Sequence, residues 1–380
     1  MKGMRTMYPC IEVNLRKIEE NSRKMNDMFK NKGISIMAVT KGFSADRNIA
    51  KAMLRGGPEF IGDSRIQNLK ALADLPAKKV LLRLPMISEI DEVLKYADYS
   101  LNSELDTLRE IGKAATKKGM IHKVIIMVDL GDYREGIRYH KIEGFVSEAV
   151  NIEGIEIRGF GVNLTCFGGV IPENTTLKRL VDISMIMKEK FQLNVEIISG
   201  GSSSSVYLIE EENGFPEGIN NLRLGEVVLL GKETAFGKHF DGLYEDAFIL
   251  KTQIIELKDK PSVPHGRIGR DAFGNIPIRE DRGIIKRAIV ALGKQDVDPS
   301  GIIPQNPELR IIGASSDHLI LDLSRTTETY CLGDIVCFYV KYGGMLNAMT
   351  SPYVEKVFIN DDNDDNDGSE DEQFLLLAEN

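Results

Sequence analysis

The sequence predicts an α/β protein: an N-terminal eight-stranded parallel (β/α)8 barrel of TIM type, followed by a C-terminal all-β domain. Three observations carry this. Apolar runs of strand length alternate with amphipathic helical stretches through the first 240 residues. There are eight such runs, which is the number that closes a parallel barrel. From about residue 244 the alternation stops, and short apolar runs follow one another with only turn signals between them. An open doubly wound sheet has the same alternation, and periodicity alone does not separate the two.

The elements follow in order. IEVNLRKIEENSRKMNDMFK reads as a short strand and then a helix, with Asn14 placed to cap it. The barrel strands are expected at ISIMAVT (34–40), EFIG (59–62), KVLLRL (79–84), ADYSLN (97–102), KVIIMVDL (123–130), IEIRGFGV (155–162), NVEIIS (194–199) and NLRLG (221–225). Between them lie helical stretches such as ADRNIAKAMLRG, SELDTLREIGKAATKKG and NTTLKRLVDISMIMKEKF, each apolar at three- and four-residue spacing. AFILKTQIIELKD, RAIVALG, LRIIGASSDHLILDLS and DIVCFYVKYG form the β-rich second domain. The expected division is an N-terminal strand (1–12) joining the β-domain, a barrel (13–240), the β-domain (241–358) and a disordered acidic tail (359–380).

Composition narrows the function. The chain has 380 residues, 42% hydrophobic and 28% charged, as an ordinary soluble protein has. No apolar run is long enough to span a membrane, and the N-terminus lacks a signal core. Four cysteines without metal or disulfide spacing suit a reducing cytoplasm. The net charge is −9, but DDNDDNDGSEDE (361–372) holds eight acidic residues, so the rest of the chain carries only −1. Neither value suits a nucleic-acid binder, and the acidic run is too polar to bury a core.

In a parallel barrel the working residues lie at the C-terminal ends of strands. Those positions hold Lys41 in AVTKGF, Arg134 in VDLGDYREG, Asn163, Thr165 and Cys166 in GVNLTCFGG, the run SGGSSSS (199–205), and Arg223 in LRLGEVVLLG. A lysine leaving a strand beside glycine is often a plain surface residue. It is also where a desolvated nucleophilic amine would stand. SGGSSSS is a flexible loop or a phosphate cradle of backbone N–H groups and hydroxyls. It lacks the lysine of a Walker motif. A reactive lysine on the first strand and a phosphate cradle after the seventh are what a barrel holding pyridoxal 5'-phosphate requires.

These residues resemble the alanine racemase family of fold-type III pyridoxal-phosphate enzymes, and within it the ornithine/alanine-racemase-like branch. The resemblance runs from YPCIEVNLRKIEENSRKM to about Phe358, through AVTKGF, NSELDTLRE, VDLGDYREGI, ISGGSSS, LRLGEVVLLG and IGRDAFG. It implies that Lys41 carries the cofactor, and that Arg134 contacts its phenolic oxygen and a substrate carboxylate. It also implies cofactor contacts at Asn163, a phosphate loop at Ser199, Gly201, Ser202 and Ser203, Arg223 facing the pyridine nitrogen, backbone donors at Gly225 and Glu226, and a phosphate bond from Tyr342. An arginine at the ring nitrogen discourages its protonation, which favours racemisation over transamination.

Three departures stand out. Met127 replaces a lysine that is carbamylated in many alanine racemases. Cys166 replaces a histidine of the T-H-F pattern. Gly269 occupies the position of the tyrosine that serves as second base. That base is then sought among His265, Asp271, Asp317 and His318, with His265 first because its ordinary pKa suits base catalysis. The resemblance implies an amino-acid racemase that interconverts L- and D-forms, with ornithine ahead of lysine, alanine or serine, and a head-to-tail homodimer with shared sites. Asp46 and Asp132 are the carboxylates nearest the strand ends for a cationic side chain. The alternatives are a non-catalytic cofactor carrier, which stops after the barrel, and a zinc-assisted dehydratase or aldolase, which needs a His–Cys pair absent here. No metal is expected.

Overall fold

The structure is a computed structural model that describes residues 7–360, except 275 and 277–279. The acidic run at 361–372 lies outside the described residues. The chain divides into two compact units. One is Leu15–Glu245; the other joins the N-terminal segment through Asn14 to Asp246–Ile359.

The first unit opens with helix α1 (Leu15–Lys30), which follows strand β1 (Cys10–Asn14) of the other unit without a break. Then come β2 (Ser35–Val39), α2 (Arg47–Arg55), β3 (Phe60–Asp63), α3 (Ile66–Ala71), β4 (Lys78–Leu81), α4 (Ile90–Tyr96), β5 (Tyr99–Asn102), α5 (Leu105–Lys117) and β6 (His122–Asp129). After the two-residue β7 (Ile137–Arg138) follow α6 (Ile142–Ala149), β8 (Ile155–Gly161), α7 (Asn174–Phe191), β9 (Ile197–Ser202), β10 (Asn221–Leu224) and α8 (Glu226–Leu230). Eight of these strands pair in parallel in the order β5-β4-β3-β2-β10-β9-β8-β6, and β5 also pairs with β6, so the sheet closes. The sequence expectation of a barrel over an open sheet is borne out. The strands are almost wholly buried because a parallel sheet is covered on both faces. Met37, Phe60, Val80, Tyr99, Leu101, Ile125, Met127 and Ile197 fill the interior. Met127, at the departed lysine position, is thus a core side chain.

The largest shift from the expected strands is at β9. It begins three residues later than NVEIIS and runs through Gly200 and Gly201 to Ser202. The glycines read as a loop by composition, yet they are paired strand.

On the wall of the barrel His122 is buried and its Nε2 lies 2.9 Å from Ser100 Oγ. Burial pushes its imidazole down to about 4, against a small opposing pull from Asp98. The folded state therefore resists a proton that the unfolded chain accepts at its ordinary 6.5. The stability this neutral group allows is complete above pH 6.5 and falls toward pH 4, by about 3 kcal/mol in all. His122→Gln is expected to flatten that acid slope, read as urea midpoints at pH 7 and pH 4.5.

The second unit is an eight-stranded sheet. β11 (Phe248–Pro261), β12 (Ile284–Val290), β13 (Ile302–Pro304), β14 (Arg310–Ala314), β15 (Leu319–Asp322) and β16 (Ile335–Val340) run in the order β13-β16-β11-β12-β15-β14. β1 pairs antiparallel with β11 and parallel with β17 (Glu355–Ile359). Two expectations are corrected. Ile359 belongs to a strand and not to a tail, because β17 pairs with β1 as far as Asn14. The unit is not purely β: α9 (Tyr342–Thr350) buries Gly344, Met345, Ala348 and Met349, a helical stripe.

Candidate active site

Lys41 stands where expected, two residues beyond β2, exposed at the C-terminal end of the barrel. It opens a single 3-10 turn, Lys41–Phe43. Ser44 and Ala45 follow with φ of 55° each, two successive non-glycine residues in the left-handed region. Such residues cost about 1–3 kcal/mol each and persist only where the surroundings hold them. Asp46 then caps α2, its carboxylate accepting from the N–H groups of Asn48 (2.9 Å) and Ile49 (3.3 Å). The expectation that Asp46 reads a substrate cation is corrected: the helix uses that carboxylate. Asp132 is corrected likewise. It is buried, and its oxygens accept from the N–H groups of Phe167 (3.2 Å) and Gly168 (3.0 Å).

SGGSSSS is ordered throughout. Ser199 to Ser202 finish β9, and Ser203–Glu210 is a 3-10 helix. β9 carries one residue more than β10 between Asn221↔Ser199 and Arg223↔Ser202. Gly201 sits in that bulge at φ +113°, and a Cβ there would lie 2.4 Å from Ser205 Oγ. That hydroxyl is held by Gly200 O at 2.8 Å. Gly201→Ala is expected to cost about 1–3 kcal/mol and to weaken phosphate binding, measured by thermal unfolding with and without pyridoxal phosphate. Ser203 Oγ accepts from the N–H groups of Val227 (3.2 Å) and Gly225 (3.4 Å), joining this run to the start of α8. Ser202 and Ser204 hydroxyls lie 3.3 Å apart.

Arg223 is buried inside the barrel, and a polar chain runs through it. Nη1 donates to Ser199 Oγ (2.5 Å), and Nη2 donates to Val162 O (2.7 Å) and Asn163 Oδ1 (2.6 Å). Ser199 Oγ in turn donates to Asn221 Oδ1 (2.9 Å). At the other end Asn163 Nδ2 donates to Glu135, which pairs with the exposed Arg134 through Nη2 (2.6 Å) and Nε. Burial pushes Arg223 down to about 10, with Glu135 pulling it back up. Burial also pushes Glu135 up, but Arg134, Asn163 and Arg223 together hold it below the usual carboxylate range. Its pairing with Glu135 lifts Arg134 further. Cys166 is exposed beside Arg134. Sequence reasoning missed Glu135; its place directly after Arg134 was the available signal.

Glu226 opens α8, and its side chain carries more than its backbone. Burial pushes its carboxyl up to about 7, while Lys41 and Lys232 pull it back. The remaining expected residues lie in the other unit. His265 is exposed in the connection between β11 and β12, and Tyr342 is the first residue of α9. Asp271, Asp317 and His318 serve turns there: Asp271 accepts from Phe273 N–H (2.9 Å), Asp317 from Gln295 Nε2 (2.6 Å), and His318 O from Ser315 N–H (2.8 Å). Among the described residues no three His, Cys, Asp or Glu side chains gather as a metal would need.

The residues present fit a phosphorylated aldehyde. Gly161 lets β8 approach the buried guanidinium closely: a Cβ there would lie 3.1 Å from Met127 Sδ, 3.5 Å from Ser199 Cβ and 3.6 Å from Arg223 Nη1. The donor set adds an amine at Lys41 and a run of hydroxyls and backbone N–H groups from Ser202 to Ser204.

The chain is thus a closed parallel barrel joined in sequence to a β-rich unit, with a lysine beyond the first barrel strand and a seryl run that finishes the seventh. The sequence profile described as Alanine racemase, N-terminal domain matches residues 13–232, and the chain belongs to that family. It is 50% identical over 353 residues to the ornithine racemase of Acetoanaerobium sticklandii, covering 92% of this chain and 99% of the relative. It is 39% identical to the lysine racemase of Thermotoga maritima, covering 93% of this chain and 99% of that one. Its fold is that of the alanine racemase of Streptomyces lavendulae, with a TM-score of 0.72 at 16% identity over 94% of this chain and 98% of that one. It is also that of the alanine racemase of Bartonella henselae with covalently bound pyridoxal phosphate, with a TM-score of 0.71 at 17% identity over 93% of this chain and all of the other.

Proposed function

We propose that this chain is a pyridoxal-phosphate-dependent amino-acid racemase with ornithine as its preferred substrate. The observation that carries the reading is half-identity to an ornithine racemase along almost the full length of both chains. The exposed Lys41 at the barrel mouth, the buried guanidinium of Arg223 and the seryl run that finishes β9 support it.

Pyridoxal phosphate, when bound, supplies an aldehyde for an amine and an electron sink for the electrons of the Cα–H bond. The chain supplies the rest. Lys41 Nζ holds the cofactor and moves the α-proton on one face. Ser202, Ser203 and the N–H groups of Gly201, Gly225 and Glu226 hold the phosphate, with Tyr342 as a further donor. Arg223 presents a fixed positive charge that already satisfies Ser199, Val162 and Asn163. A fixed cation of this kind would be a poor proton donor to the ring nitrogen of a bound cofactor. Asn163 and Arg134 orient the cofactor's phenolic edge and the substrate carboxylate. His265 is the proposed group that returns the proton on the other face.

The exposed side chains around the barrel mouth support a homodimer. Ile87 (58%), Tyr133 (68%), Phe167 (73%) and Phe236 (52%) follow β4, β6, β8 and α8 and leave an apolar collar open. A second copy covering it would exclude water from the site. Among the described residues no helix is long and apolar enough to cross a membrane, in keeping with the cytoplasmic enzyme we propose.

Purified protein loaded with pyridoxal phosphate is expected to convert L- and D-ornithine to the same mixture, read by chiral chromatography. kcat/KM for ornithine is expected to exceed that for alanine by at least about tenfold. Preference for alanine or serine would contradict the substrate assignment.

A further inference from the structure

We propose that Thr40 and Asp63 form a brace that positions Lys41, so that Asp63 serves the reaction without touching substrate or cofactor. This rests on Lys41 being the reactive amine.

Asp63 ends β3 and is fully buried. Its Oδ2 accepts from Thr40 Oγ1 at 2.6 Å. Its Oδ1 accepts from the Arg65 N–H at 2.8 Å and from Asn68 Nδ2 at 3.0 Å. One carboxylate thus ties the end of β2 to the loop and helix that follow β3. Thr40 is equally committed. Its N–H donates to Gly62 O (3.0 Å), and its carbonyl accepts from the N–H groups of Phe43 (3.3 Å) and Ala45 (3.2 Å), closing the turn around Lys41. Every polar group of the residue before Lys41 is therefore fixed.

The brace has something to resist. Ser44 and Ala45 are both left-handed, and a turn of that kind relaxes unless both ends are held. Asp46 holds one end by capping α2. Asp63 holds the other, next to Lys41. Each carboxylate works on donors fixed in the fold, so the long lysine side chain projects from a rigid base. A base that shifts by an ångström carries Nζ out of line with its target, and misplacement on that scale costs up to about 100-fold in rate.

The test uses Thr40→Val, which keeps the shape and removes the donor, and Thr40→Ser, which keeps the donor. Each is loaded with pyridoxal phosphate and assayed for kcat and KM below its unfolding temperature. In parallel, the apoprotein is given pyridoxal phosphate and borohydride, and the secondary amine left at Lys41 is quantified by mass spectrometry over time. Thr40→Val is expected to lose about 10- to 100-fold in kcat with KM nearly unchanged, and to label Lys41 more slowly. Thr40→Ser is expected to stay within about threefold of the parent on both readouts. Asp63→Ala, if it folds, is expected to match Thr40→Val. A merely structural hydrogen bond would lower the unfolding temperature and leave kcat and labelling of the folded enzyme alone. Parental kcat and labelling in Thr40→Val, or an equal loss in Thr40→Ser, would overturn the inference alone. A parent protein that does not label at Lys41 would defeat the functional reading and the inference together.

Discussion

Lys41→Ala is expected to reduce racemisation by at least about 1,000-fold while leaving the fold intact. Both halves follow from position. The amine stands at the C-terminal mouth of the barrel, two residues past β2, where a parallel barrel places its chemistry. Its side chain is exposed and not part of the buried polar chain, so truncation is expected to change stability by less than about 0.5 kcal/mol. The substitution also removes one of two cations that restrain Glu226, whose carboxyl burial has already lifted to about 7. Glu226 is therefore expected to titrate higher in Lys41→Ala. The check is turnover of ornithine, with circular dichroism and thermal unfolding alongside.

Arg223→Gln is expected to fail in the opposite way, by destabilising the barrel as well as stopping turnover. The guanidinium is buried and makes three hydrogen bonds that a shorter amide cannot all reach. Its loss leaves the Val162 carbonyl and Asn163 Oδ1 without their donor, and it removes a cation that helps keep Glu135 ionised. Breaking a buried charged network from one side costs about 3–5 kcal/mol. Arg223→Lys is expected to recover little of this, because an ammonium is a single point charge and cannot bridge Ser199 and Asn163 as a planar fork does. Urea midpoints separate the two cases. A midpoint drop for Arg223→Gln no larger than for Lys41→Ala would show that the chain through Arg223 does not support the barrel.

The barrel was legible because parallel strands covered on both faces are written as near-continuous apolar runs. VIIMV in β6 cannot be mistaken for a surface segment. What misled was composition standing in for conformation. SGGS reads as a loop, yet β9 pairs through it, since a bulge against β10 is what turns Gly201 to positive φ. YGGMLNAMT lies in the domain read as all-β, yet it is α9. Carboxylates were the hardest residues to assign. Asp46 and Asp132 lie near strand ends, and position suggested a substrate role, but both are consumed by backbone N–H groups. Asp63, Glu135 and the side chain of Glu226 do more at the site. Nothing local marks Asp63 or the side chain of Glu226, because their partners come from other elements: Thr40 for Asp63 and Lys41 for Glu226. Lys41, Arg223 and the seryl run could be found because strand ends in a parallel barrel are a fixed address.

In the proposed function Lys41 moves an α-proton on and off an amino acid. The most direct test is α-proton exchange in deuterated water, followed by NMR, for both enantiomers of ornithine, lysine, alanine and serine, with Lys41→Ala as the control. Both D- and L-ornithine are expected to acquire deuterium at Cα as they interconvert, and the control is expected not to exchange. No exchange with any of the amino acids, or exchange that survives in Lys41→Ala, would contradict that role.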